Sequence, residues 1–188
     1  MSLSIKILEN DIVYDGTQLS PHWIYKNTGL LGNAAIAFCG GCDVPIEKMV
    51  DLADVKDNKP IFSQKMLHLL LELFDADLTQ TILYQRLLVS LAQQEIIFRS
   101  GRPAIVRGGN DLYEDGAKLS VSVATASPVS TLIHFGINIS SQGTPVRTKG
   151  LEDYQIDAFD FAKTLLESFR DEVKTVGEAR AKVRPVMS

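Results

Sequence analysis

The stretch Arg107-Gly108-Gly109-Asn110-Asp111-Leu112-Tyr113-Glu114-Asp115-Gly116-Ala117-Lys118-Leu119-Ser120-Val121-Ser122-Val123 carries the decisive information about fold. Asp115-Gly116 is the dipeptide of a tight hairpin turn, whose two central residues both need positive φ. Closing that turn folds residues 110–113 back beside Lys118. From 117 to 125 the side chains alternate, with Leu119, Val121 and Val123 on one face and Lys118, Ser120 and Ser122 on the other. Residues 131–139 alternate in the same way, setting Ile133, Phe135, Ile137 and Ile139 against Leu132, His134, Gly136 and Asn138. Pairing through Ala126-Ser127-Pro128-Val129 would give a hairpin with one face in the core.

The other face is the chemical one. Polar strand faces are ordinarily just solvated. Ser, Gly and Asn are poor strand formers, however, and small residues around a single Lys, His and Asn leave room for a ligand to lie across the sheet. The expected ligand face therefore holds Lys118, Ser120, Ser122, His134, Gly136 and Asn138, bordered by Arg107, Asn110 and Asp111. Gly108 and Gly109 allow close backbone approach. Asp111 is suited to ligate Mg²⁺ or to hold a cationic partner, and Arg107 and Lys118 to neutralise a phosphate.

Outward from the hairpin, residues 4–8, 11–14, 34–38, 48–53 and 104–107 read as strands. Pro21 to Gly32 is ambiguous and can hold a short helix. Phe62, Met66, Leu69, Leu70 and Leu73 fall at helical spacing, and Leu78, Ile82, Leu87 and Leu91 continue it in a second helix. Residues 75–77 mark the break, and Gly101-Arg102-Pro103 ends the helical region. A C-terminal amphipathic helix over about 157–181 shows the stripe Ala162, Leu165, Leu166, Phe169, Val173 and Val176, with Asp157 as N-cap. That stripe reads as core packing or the seam of a homodimer.

With 188 residues, 45% of them hydrophobic, the chain suits one domain with a substantial core. A net charge of −4 argues against general nucleic-acid or anionic-membrane binding. Residues 1–10 lack the pattern of a signal peptide, and no stretch is long and apolar enough to span a bilayer. A cytoplasmic location is expected, in which Cys39 and Cys42 stay reduced.

Asn110-Asp111-Leu112-Tyr113, followed at the same spacing by Lys118-Leu119, resembles the central motif of biotin and lipoate protein ligases. Phe135-Gly136-Ile137-Asn138-Ile139 is similar to their Gly-Ile-Asn strand, and the order of elements fits. The good match spans about 104–139, and looser topology extends it over about 34–139. The sequence as a whole looks like an uncharacterised prokaryotic family, a domain of unknown function, that shares this fold. The resemblance implies an α+β fold, with a mixed, mainly antiparallel sheet like that of class II aminoacyl-tRNA synthetases and biotin/lipoate ligases. It also implies ATP and Mg²⁺ as cofactors, a small carboxylate as substrate, a protein as acceptor, and acyl-adenylate chemistry. Lys118 would then be catalytic, contacting the carboxylate and α-phosphate. Asp111 and Asn138 would hold nucleotide and Mg²⁺, and Asn110 and Arg107 would line the site. The sequence departs from the ligases in two places. Their arginine-rich glycine loop has as its nearest counterpart Cys39-Gly40-Gly41-Cys42, without arginine, and their Ala-Gly pair after the lysine is Ser120-Val121.

Three readings follow. One is an enzyme that activates or transfers a carboxylate at Lys118. Another is a non-catalytic module that binds a nucleotide or acyl ligand. The last is a thiol-redox or metal protein built on Cys39 and Cys42, although two cysteines supply only half of a structural zinc site. His68, among leucines, reads as a hydrogen-bonded core or boundary histidine. His22 precedes Trp23, and the pair covers an apolar patch or lines a pocket. Arg180, Lys182 and Arg184 complement a helix dipole.

Overall fold

The computed structural model describes residues 2–58, 61–144 and 146–186. Its strands are β1 (Ser4–Leu8), β2 (Ala34–Val44), β3 (Ile61–Leu73), β4 (Ile105–Gly108), β5 (Asp111–Glu114), β6 (Ala117–Lys118), β7 (Ser120–Ala126) and β8 (Thr131–Asn138). Its helices are α1 (Trp23–Thr28), α2 (Leu52–Lys56), α3 (Leu78–Ser100) and α4 (Ala158–Lys182). The main sheet has the order β1-β2-β3-β8-β7, and β4-β5-β6 form a small second sheet. Among the described residues only strands β1 and β2 pair in parallel, and the other strand pairings are antiparallel. The expected mixed, mainly antiparallel α+β fold is the one found.

β3 is the middle strand of the main sheet and is buried on both faces. Leu67, Leu69, Leu71 and Leu73 pack with Leu88, Val89 and Ile96 of α3 and with Phe161, Leu165 and Phe169 of α4. Met66 and Leu70 point the other way, into a second core with Ile36, Phe38, Ile24 and Tyr14. Each buried leucine contributes about 1.5–3 kcal/mol. The helix expected over 62–73 is therefore a strand. A strand covered on both sides shows a continuous apolar run, which periodicity alone does not separate from a buried helix.

Other boundaries shift for local reasons. The strand expected over 48–53 is instead a 3₁₀ turn, Ile46–Lys48, followed by α2, whose N-cap Asp51 accepts from the amides of Ala53 and Asp54. β2 does not end in a cysteine turn but runs through Cys39 to Val44, with a register shift between Gly40 and Cys42. Of residues 11–14, Tyr14 makes a bridge to Cys42. The second expected helix is present as α3, capped by Asp77 and by Gly101 at φ 67°. The C-terminal helix is present as α4 with Asp157 as its N-cap. Its stripe packs into the core as far as Val173, while Val176 is exposed.

Residues 9–20 strap the second face of the sheet. Ile12 and Tyr14 donate their amides to Cys39 O and Gly41 O, and Gly40 permits the approach, because a Cβ there would sit 2.0 Å from Ile12 O. Gly40→Ala should force the strap off β2 and destabilise the protein by about 1–3 kcal/mol or more. Urea unfolding of the two proteins checks this, and an unchanged midpoint would show that the strap yields freely.

Candidate functional site

Lys118 reaches the site through two local features. The Asp115-Gly116 turn, at φ 51° and 76°, pairs Tyr113 with Lys118 as expected. Leu119 then interrupts the strand, turning its side chain into the helix-side core. The interruption shifts the alternation by one place. Val121 and Val123, opposite Gly136 and His134, occupy the face that the alternation assigns to Ser120 and Ser122. The two serine hydroxyls turn to the helix side instead, where Ser120 accepts from the Leu112 amide and Ser122 from the Gln85 amide side chain. A strict period of two carried across Leu119 puts the serines on the wrong face, because the pleat is broken there.

Lys118 is held on every side. Its amide donates to Arg147 O, and its carbonyl accepts from the Lys149 amide and, at 3.3 Å, from Asn138 Nδ2. Its Nζ lies 2.7 Å from Asp111 Oδ2. Burial lowers the pKa of the Lys118 ammonium, but the Asp111 charge outweighs that and holds the pKa above its usual value, so the group stays protonated. Burial pushes the Asp111 carboxyl up against the pull of Lys118. Asp111 Oδ1 is buried; the nearby Ser122 backbone favours its charged form, but among the described residues no group meets hydrogen-bond geometry with it.

Two cavities meet at this pair, and Lys118 lines both. The first, about 370 Å³, is polar: Tyr14, His134, Asn110 and Asp111 face Asp51 and Asp54 across it. The second, about 330 Å³, is largely apolar and lined by Ile61, Phe62, Met66, Val121 and Val146, with Asn138 also in its wall. Met66 lies over Gly136, where a Cβ would be 2.8 Å from Met66 Cε, so the small-residue floor is filled from β3.

His134 belongs to a buried cluster. Its Nε2 is 3.0 Å from His68 Nδ1, and its ring stacks on Tyr14 at 3.8 Å, while His68 lies against Phe38. Burial pulls His68 down to about 4; the nearby Gly40 and Gly41 backbone favours its charged form, but among the described residues no group meets hydrogen-bond geometry with its Nε2. Burial, and then the neighbouring His68, hold His134 well below the usual range.

The remaining expected residues divide. Asn110 donates to Ser122 O and lines the polar cavity, which Ser122 also borders, while Ser120 borders the apolar one. Arg107 is exposed, donates to Gly109 O and lines neither cavity. Cys39 lies in the helix-side core and Cys42 in the opposite one. Burial raises these thiols to about 11 and about 12. Among the described residues no group of three His, Cys, Asp or Glu gathers as a metal cage. Asp51, Asp54, Met66 and Tyr14 are site residues that motif reading does not reach. His68 would have been reachable had β3 been read as a strand, since Met66, His68 and Leu70 then share a face.

The family model of DUF366, a domain of unknown function, matches residues 3–184. The chain belongs to the DUF366 family. An uncharacterised protein of Methanocaldococcus jannaschii is 34% identical, over 93% of this chain and 85% of its own length. A solved protein of unknown function from Pyrococcus horikoshi is 37% identical at a TM-score of 0.91, covering 99% of this chain and 100% of that one. Biotin protein ligase from Aquifex aeolicus, solved with biotin and ATP, superimposes at a TM-score of 0.61 with 16% identity, covering 93% of this chain and 72% of the ligase. A lipoate protein ligase homologue from T. acidophilum, solved with lipoic acid, gives 0.57 and 13%, covering 93% and 87%. At such identities the ligases establish a shared fold for this DUF366 protein, and no more.

The histidine pair sets a pH dependence. Both pKa values are depressed on folding, so the stability they contribute is complete above the unfolded value of 6.5 and is lost as pH falls through that of His68, about 4. Histidine ring resonances followed by NMR should keep His68 and His134 neutral well below pH 6.5, while the urea midpoint declines over that window. Ordinary titration of both rings near 6.5 would refute the assignment.

Proposed function

We propose that this protein binds a small carboxylate with an apolar body and activates it at Lys118 for acyl transfer, with Mg²⁺-nucleotide in the polar cavity. The observation that carries the reading is the position of the Lys118–Asp111 pair where a polar and an apolar cavity meet. An apolar acyl chain suits the space under Phe62 and Val146, and its carboxylate would reach the Lys118 ammonium at the boundary. Lys118 would neutralise the carboxylate and, as charge develops, the phosphate oxygens beside it. Asp111 fixes the ammonium, and Asn138 fixes the backbone that carries it.

The polar cavity fits a metal-bound nucleotide. Asp111 Oδ1 is buried without a well-formed hydrogen bond among the described residues, and Asp51 and Asp54 line the same cavity. Mg²⁺ commonly takes only one or two protein carboxylates and completes its shell with water and phosphate. Bound ATP would supply the phosphorus centre that the carboxylate oxygen attacks, with pyrophosphate leaving. A protein acceptor for the activated acyl group belongs to the same reading.

A non-catalytic binding module is favoured by one observation: residues 45–58, which cover the polar cavity through Asp51 and Asp54, contain no arginine to close over phosphates.

Calorimetry with Mg²⁺-ATP, alone and with biotin, lipoate or octanoate, tests the proposal, with pyrophosphate release measured alongside. Carboxylate binding should fall about tenfold or more in Lys118→Ala, since a hydrogen bond to a charged group contributes about 1.5–3 kcal/mol. Unchanged binding in Lys118→Ala would remove the lysine from the site. Saturable binding without pyrophosphate release would select the binding module.

A further inference from the structure

A third cavity, of about 190 Å³, opens where α1, residues 30–32 and the end of β3 meet. Its wall contains Glu72, whose residue is only 2% exposed. Glu72 Oε1 accepts from the His22 amide and from Ser130 Oγ, both at 2.8 Å. Among the described residues Glu72 forms no ion pair and its Oε2 no hydrogen bond, and Oε2 is not sealed in the interior. A carboxylate drawn largely out of water without a counter-charge is costly, and the His22 amide and the Ser130 hydroxyl meet only Oε1, which leaves Oε2 for a ligand in the cavity.

The remaining walls suit a cation. His22 and Phe74 stack with ring centroids 5.7 Å apart, and Tyr25, 49% exposed, completes the aromatic lining. Aromatic faces attract ammonium groups. Leu30 and Leu31 add apolar surface at the same opening, suited to a methylene stem. His22 holds a left-handed φ of 63°, an unfavourable conformation for a non-glycine residue, and in it the amide is aimed at Glu72.

We infer that this cavity binds a primary alkylammonium group, carried either by a free amine or by a lysine side chain, with Glu72 as its counter-charge. The inference is independent of the chemistry at Lys118, because neither Lys118 nor Asp111 lines this cavity. The ammonium hydrogens would meet Glu72 Oε2, the charge would lie against Tyr25 and Phe74, and the stem would leave over Leu31.

NMR titration of the full chain with n-butylammonium chloride tests the site, with 1-butanol and NaCl as controls. An acetyl-Gly-Lys-Gly-amide arm separates a lysine side chain from a free amine. Butylammonium should give saturable shifts at the His22 and Glu72 amides that neither control reproduces. Affinity should fall about tenfold in Glu72→Gln, which keeps the shape and removes the charge. It should fall several-fold in Tyr25→Ala, and stay unchanged in Lys118→Ala. Should Glu72→Gln fail to fold, Tyr25→Ala and the butanol comparison still decide. Equal response to butanol, absence of saturation, or full affinity in Glu72→Gln or Tyr25→Ala would overturn the inference.

Discussion

Everything in this molecule is organised by the burial of β3 on both faces. Its leucines at 67, 69, 71 and 73 face the two long helices, while Met66, His68, Leu70 and Glu72 face the strapped side. A slip of one residue would exchange the two sets, driving His68 and Glu72 into the helical core. Pairing with β2 on one edge and β8 on the other fixes the register twice. His68 and His134 come together because that register is fixed, and Met66 lies over Gly136 for the same reason. The polar groups that β3 carries into the strapped side find partners there: His68 in a second histidine, Glu72 in an amide and a hydroxyl.

The site depends on a second, smaller constraint. Without the interruption at Leu119, Lys118 and Val121 would lie on opposite faces. With it, a charged residue from the small sheet and an apolar one from the main sheet line the same space. The lysine is thereby anchored through its backbone to residues 147–149 and through its charge to Asp111. An ammonium so confined loses little further freedom when it meets an anion, which is what preorganisation supplies to binding.

Sequence reading reached the hairpin turn, α3, and α4 with its N-cap, because each rests on a local signal: Asp-Gly at a tight turn, Asp157 before a helix, a helical apolar stripe. It missed β3, whose continuous leucines satisfy two periods at once, and it misplaced Ser120 and Ser122, because the break at Leu119 leaves no mark in the alternation. The resemblance carried by Asn110, Asp111, Lys118 and the Gly136-Ile137-Asn138 strand pointed to the right fold, and geometry then brought Lys118, Asp111, Asn110, His134 and Asn138 to the borders of the two cavities, with Ser120 and Ser122 bordering them although their hydroxyls bond on the helix side. Arg107, chosen for its charge and position in the chain, lies outside them. The acidic residues of 45–58 and the strap that brings Tyr14 onto His134 are matters of tertiary packing, which no short motif encodes.

The Cys39-x-x-Cys42 spacing has a use quite apart from thiol chemistry in the native state. Residues three apart in an extended strand face opposite ways, so β2 sends one sulfur into each of the two cores. A thiol reagent reaches either only when its own side of the sheet opens. The two cysteines therefore act as separate clocks: modification at Cys39 times the release of α3 and α4, and modification at Cys42 times the lifting of the strap. Equal rates would mean that the layers open as one cooperative unit. Faster reaction at Cys42 would mean that the strapped side breathes while the helical side stays closed.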